Sequence, residues 1–259
     1  MNDWVLRESP AVGVTRLVLN RPDSFNALSS EMLSALDVAL QTVAQDASCR
    51  VVVIAAGGRA FSAGHDLREM RTHPDHDFYT QLFAQCSRMM VRIQNLPQPV
   101  IAEVQGIATA AGCQLVSMCD LAVASQEAKF AVSGINYGLF CSTPSVGLSR
   151  NMHRKQAMEM LLTGDFIDAD TAKERGLINQ VVQADELAEA VLQLCLKIAA
   201  KPEPAVRLGK ALFYQQLEMG LSAAYQLAGQ TMACNMMEES AQEGFQAFLD
   251  KRKPNWSAG

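Results

Sequence analysis

The sequence predicts an α/β fold in which strand and helix units fill the chain until Leu187, after which only helices follow. Continuous apolar runs at 51–56 and 100–104, each closed by glycine, read as buried strands. The helical 3.6-residue spacing after Ser29 supplies the alternating element. No strand signal recurs beyond Val181-Val182.

Taken in order, residues 4–8 and 12–19 alternate apolar and polar side chains, which predicts a β-hairpin turning at Pro10. Residues 20–26 form a turn-rich loop. Ser29-Ser30-Glu31 then caps an amphipathic helix carrying Met32, Leu33, Leu36, Leu40 and Val43 on one face. After the 51–56 strand, residues 61–67 read as a loop. Residues 72–77 read as a second loop before a helix over 78–95. Pro74 keeps His73 and His76 off one helix face and no further ligands cluster beside them, so no metal site is expected.

The stretch 97–120 organises the chain. Two prolines introduce the 100–104 strand, Gly106 breaks it, and Ala108, Thr109, Ala110, Ala111 and Gly112 follow. A helix opening on such residues lets a ligand approach the backbone. Its first amides have no intrahelical partner and the helix dipole adds positive potential, so an anionic oxygen would be stabilised there. The same residues also fit a helix packed tightly under a sheet. Then come a strand at 120–125, a glycine-punctuated loop over 130–144, a helix at 155–162 stopped by Gly164, a short helix opened by Asp168 and closed by Gly176, and a strand at 181–182. The last helices break at Pro202 and Pro204. Their apolar residues, among them Leu208, Leu212, Phe213, Leu217, Leu221 and Leu227, predict burial against further subunits.

Hydrophobic content of 49% against 19% charged residues supports a sizeable core, and a net charge of −5 argues against nucleic-acid or membrane-surface binding. Seven scattered cysteines, without metal-ligand spacing, fit free thiols in a reducing compartment. There is no leader-like segment at the N-terminus and no run of about 18 apolar residues. The expected location is the cytoplasm.

Several stretches together resemble the enoyl-CoA hydratase/isomerase, or crotonase, family. They are Leu19-Asn-Arg-Pro-Asp with Asn26-Ala-Leu28; Phe61-Ser-Ala-Gly-His-Asp-Leu67; Pro99-Val-Ile-Ala-Glu-Val-Gln-Gly106 with Ala111-Gly-Cys-Gln-Leu115; Cys119-Asp120; Leu162-Thr-Gly164; and the segments 172–182 and 243–253. Residues 108–115 and 138–144 look closest to one branch of it. The resemblance implies a crotonase (ClpP-like) spiral of ββα units over residues 1–198 and a helical oligomerisation region over 199–259, assembling as a homotrimer or a dimer of trimers. It implies an acyl-CoA thioester as partner, coenzyme A being part of the substrate rather than a separate cofactor. Two backbone amides, matched here by His65 and Ala111, would hold the thioester oxygen as it becomes an enolate. Ala63, Asp66, Leu67 and Arg68 match positions lining the coenzyme A, with Arg21 and Lys251 as further cations for its phosphates.

Where the family's hydratases place two glutamates, this chain has Gln114 and Gly134. Paired carboxylates let one group take a proton while the other returns one. An amide and a hydrogen atom do neither. Glu103 sits on a strand before the turn and reads as a paired structural carboxylate. His65 and Cys141 remain as candidate catalytic side chains. The thiol lacks an adjacent cation to activate it, whereas the imidazole could polarise a second carboxylate, as in relatives that decarboxylate malonyl-type thioesters. Three readings follow: an acyl-CoA enzyme of the hydratase/isomerase type with doubtful water addition, a non-catalytic thioester-binding or assembly protein, and a malonyl-type decarboxylase using His65.

Overall fold

The computed structural model describes residues 4–256. The first strands, β1 (Val5–Ala11) and β2 (Val14–Leu19), pair antiparallel. β3 (Val51–Ala56), β5 (Val100–Val104), β7 (Leu121–Ser125) and β10 (Gln180–Val182) then add in parallel, giving the order β1-β2-β3-β5-β7-β10. A second sheet has the order β4 (Ala60–Ser62), β6 (Ile107–Thr109), β8 (Lys129–Ala131), β9 (Ile167–Asp168). Three successive windings, β3-β4, β5-β6 and β7-β8, thus contribute one strand to each sheet before a helix, the repeated ββα unit of the spiral that the resemblance implied.

Period-two alternation decides what each face of the large sheet packs against. Val51, Val53, Ala55, Ile101 and Val123 meet Leu187, Val191 and Cys195 of α8 (Leu187–Ala199). Val52, Ile54, Val100 and Ala102 join the larger core with α1 (Ser30–Ala44), α3 (His76–Asn95) and α4 (Ala111–Met118). Ser29 caps α1 by accepting from the Met32 amide. Glu103, buried in β5, takes a two-pronged contact from Arg16 at 2.7 and 3.1 Å, a structural pairing.

Local readings change in four places. The first hairpin turns at Val12-Gly13, and Pro10 lies within β1 at a pairing irregularity. Proline lacks the N–H for a ladder, and a bulge in an edge strand tolerates that. Residues 61–67, read as loop, hold the end of β4 and the start of the helix α2 (Leu67–Thr72). Its start was legible, because Asp66 caps it and Glu69 follows three residues on. Gly106 does not lead directly into a helix, since β6 intervenes. The 130–144 loop contains β8, a 3₁₀ turn (Ser133–Tyr137) and the start of α5 (Ser142–Asn151). Helices α6 (Arg154–Thr163) and α7 (Ala169–Glu174) fall where glycine stops and the Asp168 cap placed them.

The remaining helices, α9 (Glu203–Leu217), α10 (Leu221–Met236) and α11 (Glu239–Leu249), bury almost nothing within the chain. Leu221, Tyr225, Met232 and Phe248 are all exposed, the last at 80%. One polar anchor holds α9 to the core. Lys210, its side chain 6% exposed, donates to the Ile93 and Gln98 carbonyls and to Asp120, using all three ammonium protons. Asp120 also accepts from the Tyr214 hydroxyl and the Val100 amide. Burial pulls the Lys210 ammonium below its usual range, with Asp120 opposing. Removing one partner strands a buried charge, so Lys210→Ala should cost about 3–5 kcal/mol. Urea unfolding measures this, and a loss under about 1 kcal/mol would show that the pair does not hold α9.

Candidate active site

The second sheet builds the site. Strands β4, β6 and β8 run parallel, pairing Ser62 with Ala108 and Thr109 with Ala131. Their carboxyl ends therefore release residues 63–65, 110–111 and 132–134 side by side, the usual place for ligands in open α/β sheets. Phe61 and Phe130, both fully buried, anchor two of these strands. The Ala110 amide donates to the Ala131 carbonyl at 3.0 Å, and the Thr109 and Ser133 hydroxyls meet at 2.9 Å.

The 62–65 segment is fastened from the other side by residues 25–28. The Ala63 amide donates to the Phe25 carbonyl, the Leu28 amide to the Gly64 carbonyl, and the Ser62 hydroxyl to the Asn26 carbonyl. Fully buried Asn26 ties this clamp to the strands by donating to the Gly57 and Ala60 carbonyls. Gly64, at φ +87°, presses on the start of α4. A Cβ there would lie 2.8 Å from the Ala110 Cβ and 3.1 Å from the Ala111 nitrogen. A Cβ on Gly112 would overlap the Ser62 carbonyl oxygen. Among the described residues no protein acceptor takes the amide of His65 or of Ala111. Ala110 has no capping side chain and sits at φ 51°, ψ −121°, a strained conformation for an L-residue.

These segments open on a cavity of about 280 Å³. Of the residues singled out from the sequence, Ala63, His65, Leu67, Ala111, Gly134 and Cys141 line it. Met70, Phe83, Leu139 and Phe140 make the wall largely apolar, a contribution the sequence located only as coming from the neighbourhoods of 70–95 and 130–145. The other expected residues lie elsewhere. Asp66 spends its carboxylate capping α2, accepting from the Arg68 and Glu69 amides. Arg68 is exposed in the first turn of that helix, and Lys251 is exposed beyond α11. The Arg21 guanidinium lies 3.9 Å above the Trp4 ring. Gln114 is buried one turn into α4, its Oε1 without a protein partner.

The Gly134 position is not an empty place awaiting a side chain. The 134–139 loop closes by donation from the Leu139 amide to the Gly134 carbonyl at 3.0 Å. A Cβ on Gly134 would stand 2.6 Å from the Leu139 oxygen and 2.9 Å from the Cys141 Sγ. A glutamate there would have to move the loop backbone. Burial raises the Cys141 thiol, partly offset by a hydrogen bond from the Gly134 backbone, and burial pushes neighbouring Cys113 up to about 12. Neither is an activated nucleophile.

His65 differs. Its Nδ1 lies 3.2 Å from the Leu28 carbonyl, which only accepts, so Nδ1 carries the proton and Nε2 a lone pair. Nε2 is buried and has no protein partner, and the ring meets Phe83 edge-on at 5.4 Å. Burial holds the imidazole below its ordinary 6.5, outweighing the Leu28 carbonyl and the Glu69 charge, so the ring is neutral at pH 7. His73 and His76, by contrast, are exposed and spend their contacts on Thr72 and Asp77.

A site of backbone donors on this spiral, with a family model for enoyl-CoA hydratase/isomerase matching residues 10–259, makes the chain a member of the enoyl-CoA hydratase/isomerase family. It is similar to the mitochondrial enoyl-CoA hydratase domain-containing protein 3 of Rattus norvegicus, 46% identical over 95% of this chain and 82% of the relative. Among solved structures, an enoyl-CoA hydratase of Mycobacterium smegmatis superposes with a TM-score of 0.96 at 58% identity, covering 98% of this chain and 99% of that one. Human enoyl coenzyme A hydratase domain-containing protein 3 gives 0.94 at 45% identity, covering 98% and 100%. That is the branch that residues 108–115 and 138–144 resemble. The expected cytoplasmic location does not stand, because the Rattus norvegicus relative is named as a mitochondrial protein.

The Ala110 strain yields a direct check. Ala110→Gly relieves a cost of about 1–3 kcal/mol and loses about 0.4–1 kcal/mol to unfolded-chain entropy. The variant should be more stable by about 1 kcal/mol in denaturant unfolding; a destabilised variant would mean that the backbone there is unstrained.

Proposed function

We propose that this protein is an acyl-CoA thioester enzyme that stabilises a thioester enolate between the main-chain amides of His65 and Ala111. The observation that carries the reading is the unpartnered state of those two donors, on segments pressed together at Gly64 and opening on one cavity. Donors fixed in advance need no reorganisation when charge develops on the oxygen, and each is worth on the order of 100- to 1,000-fold in rate. The helix dipole of α4 adds to the Ala111 donor. Ala63 and Leu67 would flank the thioester arm of coenzyme A, with Asp66 and Arg68 beyond them. Arg21 and Lys251 would reach the phosphates only by leaving their present positions.

Water addition is not the reaction this cavity supports best, since Gln114 and the closed loop at Gly134 leave both carboxylate positions without a titratable group. A malonyl-type decarboxylation through His65 also lacks support, because a neutral ring whose N–H faces Leu28 turns a lone pair, not a donor, toward other groups. The specific observation favouring binding without turnover is the same pair, Gln114 and Gly134. A panel of 2-enoyl-CoA, 3-enoyl-CoA and malonyl-type thioesters separates these readings by absorbance and product analysis. Ala111→Pro supplies the mechanistic arm, because proline is tolerated at the first helical position and deletes the donor. Turnover of whichever thioester reacts should fall about 100- to 1,000-fold while binding persists; unchanged turnover would remove Ala111 from the mechanism.

We also propose that residues 199–259 assemble the chain as a homotrimer or a dimer of trimers. The exposed apolar side chains of α9, α10 and α11, among them Phe213, Leu221, Tyr225, Met232 and Phe248, support this. Sedimentation equilibrium should return three or six times the 28.1 kDa chain mass, and a monomer at micromolar concentration would refute it.

A further inference from the structure

We propose that His65 is the base of this site, its Nε2 taking a proton from the carbon next to the thioester carbonyl. The inference rests on the acyl-thioester reading above and assigns that site the proton acceptor that Gln114 and Gly134 do not supply.

The cavity itself narrows the choice. Its lining contains three side chains with a titratable group: His65, Tyr137 and Cys141. Tyr137 is 79% exposed, and the thiol of Cys141 is raised by burial. The nearby carboxylates are engaged elsewhere: Asp66 caps α2, and Glu69 accepts from the Ser30 amide at 3.0 Å. His65 alone combines a place in the lining with a buried, unpartnered lone pair.

The ring is also held for that use. Donation from Nδ1 to the Leu28 carbonyl selects the tautomer that leaves Nε2 basic, and Leu28 is itself paired to His65 in a parallel bridge. The groups packed around the ring leave it neutral. The Phe83 edge on α3 brings no charge, Tyr79 on that helix spends its hydroxyl on the Met70 carbonyl, and Glu69 on α2 opposes the burial only in part. One residue would then serve twice, its amide holding the thioester oxygen and its imidazole supplying the base.

In the step itself the carbon–hydrogen bond breaks and the proton forms a bond to Nε2. The electron pair moves to the thioester oxygen, where the His65 and Ala111 amides bind it as an enolate. Return of a proton from the imidazolium reverses the step with no net change, and in heavy water the cycle installs deuterium beside the carbonyl once the proton on Nε2 has exchanged with solvent. No oxidant, metal or second substrate is needed.

The test uses the full-length protein with butanoyl-CoA and octanoyl-CoA. Deuterium incorporation is followed by mass spectrometry between pH 5 and 9, and binding by calorimetry. The wild-type rate should be level from pH 7 upward and fall as acid protonates the ring, below the ordinary histidine value of 6.5. His65→Asn keeps an N–H for Leu28 and the backbone amide but removes Nε2. It should exchange at least about 100-fold more slowly and bind the thioesters within threefold of wild type. Binding without exchange in the wild type, or undiminished exchange in His65→Asn, would each overturn the base and leave thioester binding standing. Failure of the wild type to bind either thioester would overturn the acyl-thioester reading, and this inference with it. Absence of exchange in the bound wild type overturns the base without any variant, so the test survives a variant that does not fold.

Discussion

Between Ser62 and His65 the backbone lies directly against the first turn of α4, with no side chain of any size between them. The approach requires a bare Cα at Gly64 and at Gly112, where a methyl group would meet Ala110 or the Ser62 carbonyl. Interiors pack too densely for such a contact to yield to a larger residue without separating the two segments. The clamp through Asn26 and Leu28, the strained turn at Ala110 and the parallel register of β4 with β6 all act to hold it closed. These contacts use the neighbouring Ala63 and Ala110 amides and leave those of His65 and Ala111 without a protein acceptor among the described residues.

The chemistry around that contact follows from what shares the cavity. A carboxylate placed among Met70, Phe83, Leu139 and Phe140 would be costly to desolvate without a partner. The chain instead carries a neutral amide at Gln114 and folds a loop carbonyl and a thiol over Gly134. The imidazole of His65 suits such surroundings because its uncharged form is the one that burial favours. A polar function is thereby kept in an apolar pocket at little electrostatic cost.

Farther away, Asp120 links the large sheet to the last helices. Its carboxylate receives an amide from β5 and two side chains from α9, a concentration of charge-assisted bonds where the surrounding packing is thin. The last three helices then present their apolar faces outward. The chain thus joins a well-buried core to helices whose apolar side chains are left largely exposed.

Sequence periodicity determined the strands at 51–56 and 100–104, helix α1 with its Ser29 cap, and the helical C-terminal third, because each announces itself within a few residues. The motif Phe61-Ser-Ala-Gly-His-Asp-Leu67 and the small residues at 108–112 marked the two halves of the site, since only small residues permit close backbone approach. Sequence did not place the turn at Gly13 rather than Pro10, find α2, or reveal that Asp66 and Arg21 are occupied with a helix cap and a Trp4 ring. The α2 cap lies in the local sequence, whereas the engagement of Arg21 depends on Trp4 across the first hairpin. Nor did it disclose that the Gly134 position is filled by Leu139 and Cys141, or which nitrogen of His65 bears the proton. The first follows from how a loop closes on itself and the second from a carbonyl 37 residues away at Leu28. Local pattern determined the elements, and resemblance to the family pointed to the backbone donors; only the folded chain decided which polar atoms were left without partners, because that depends on every neighbour at once.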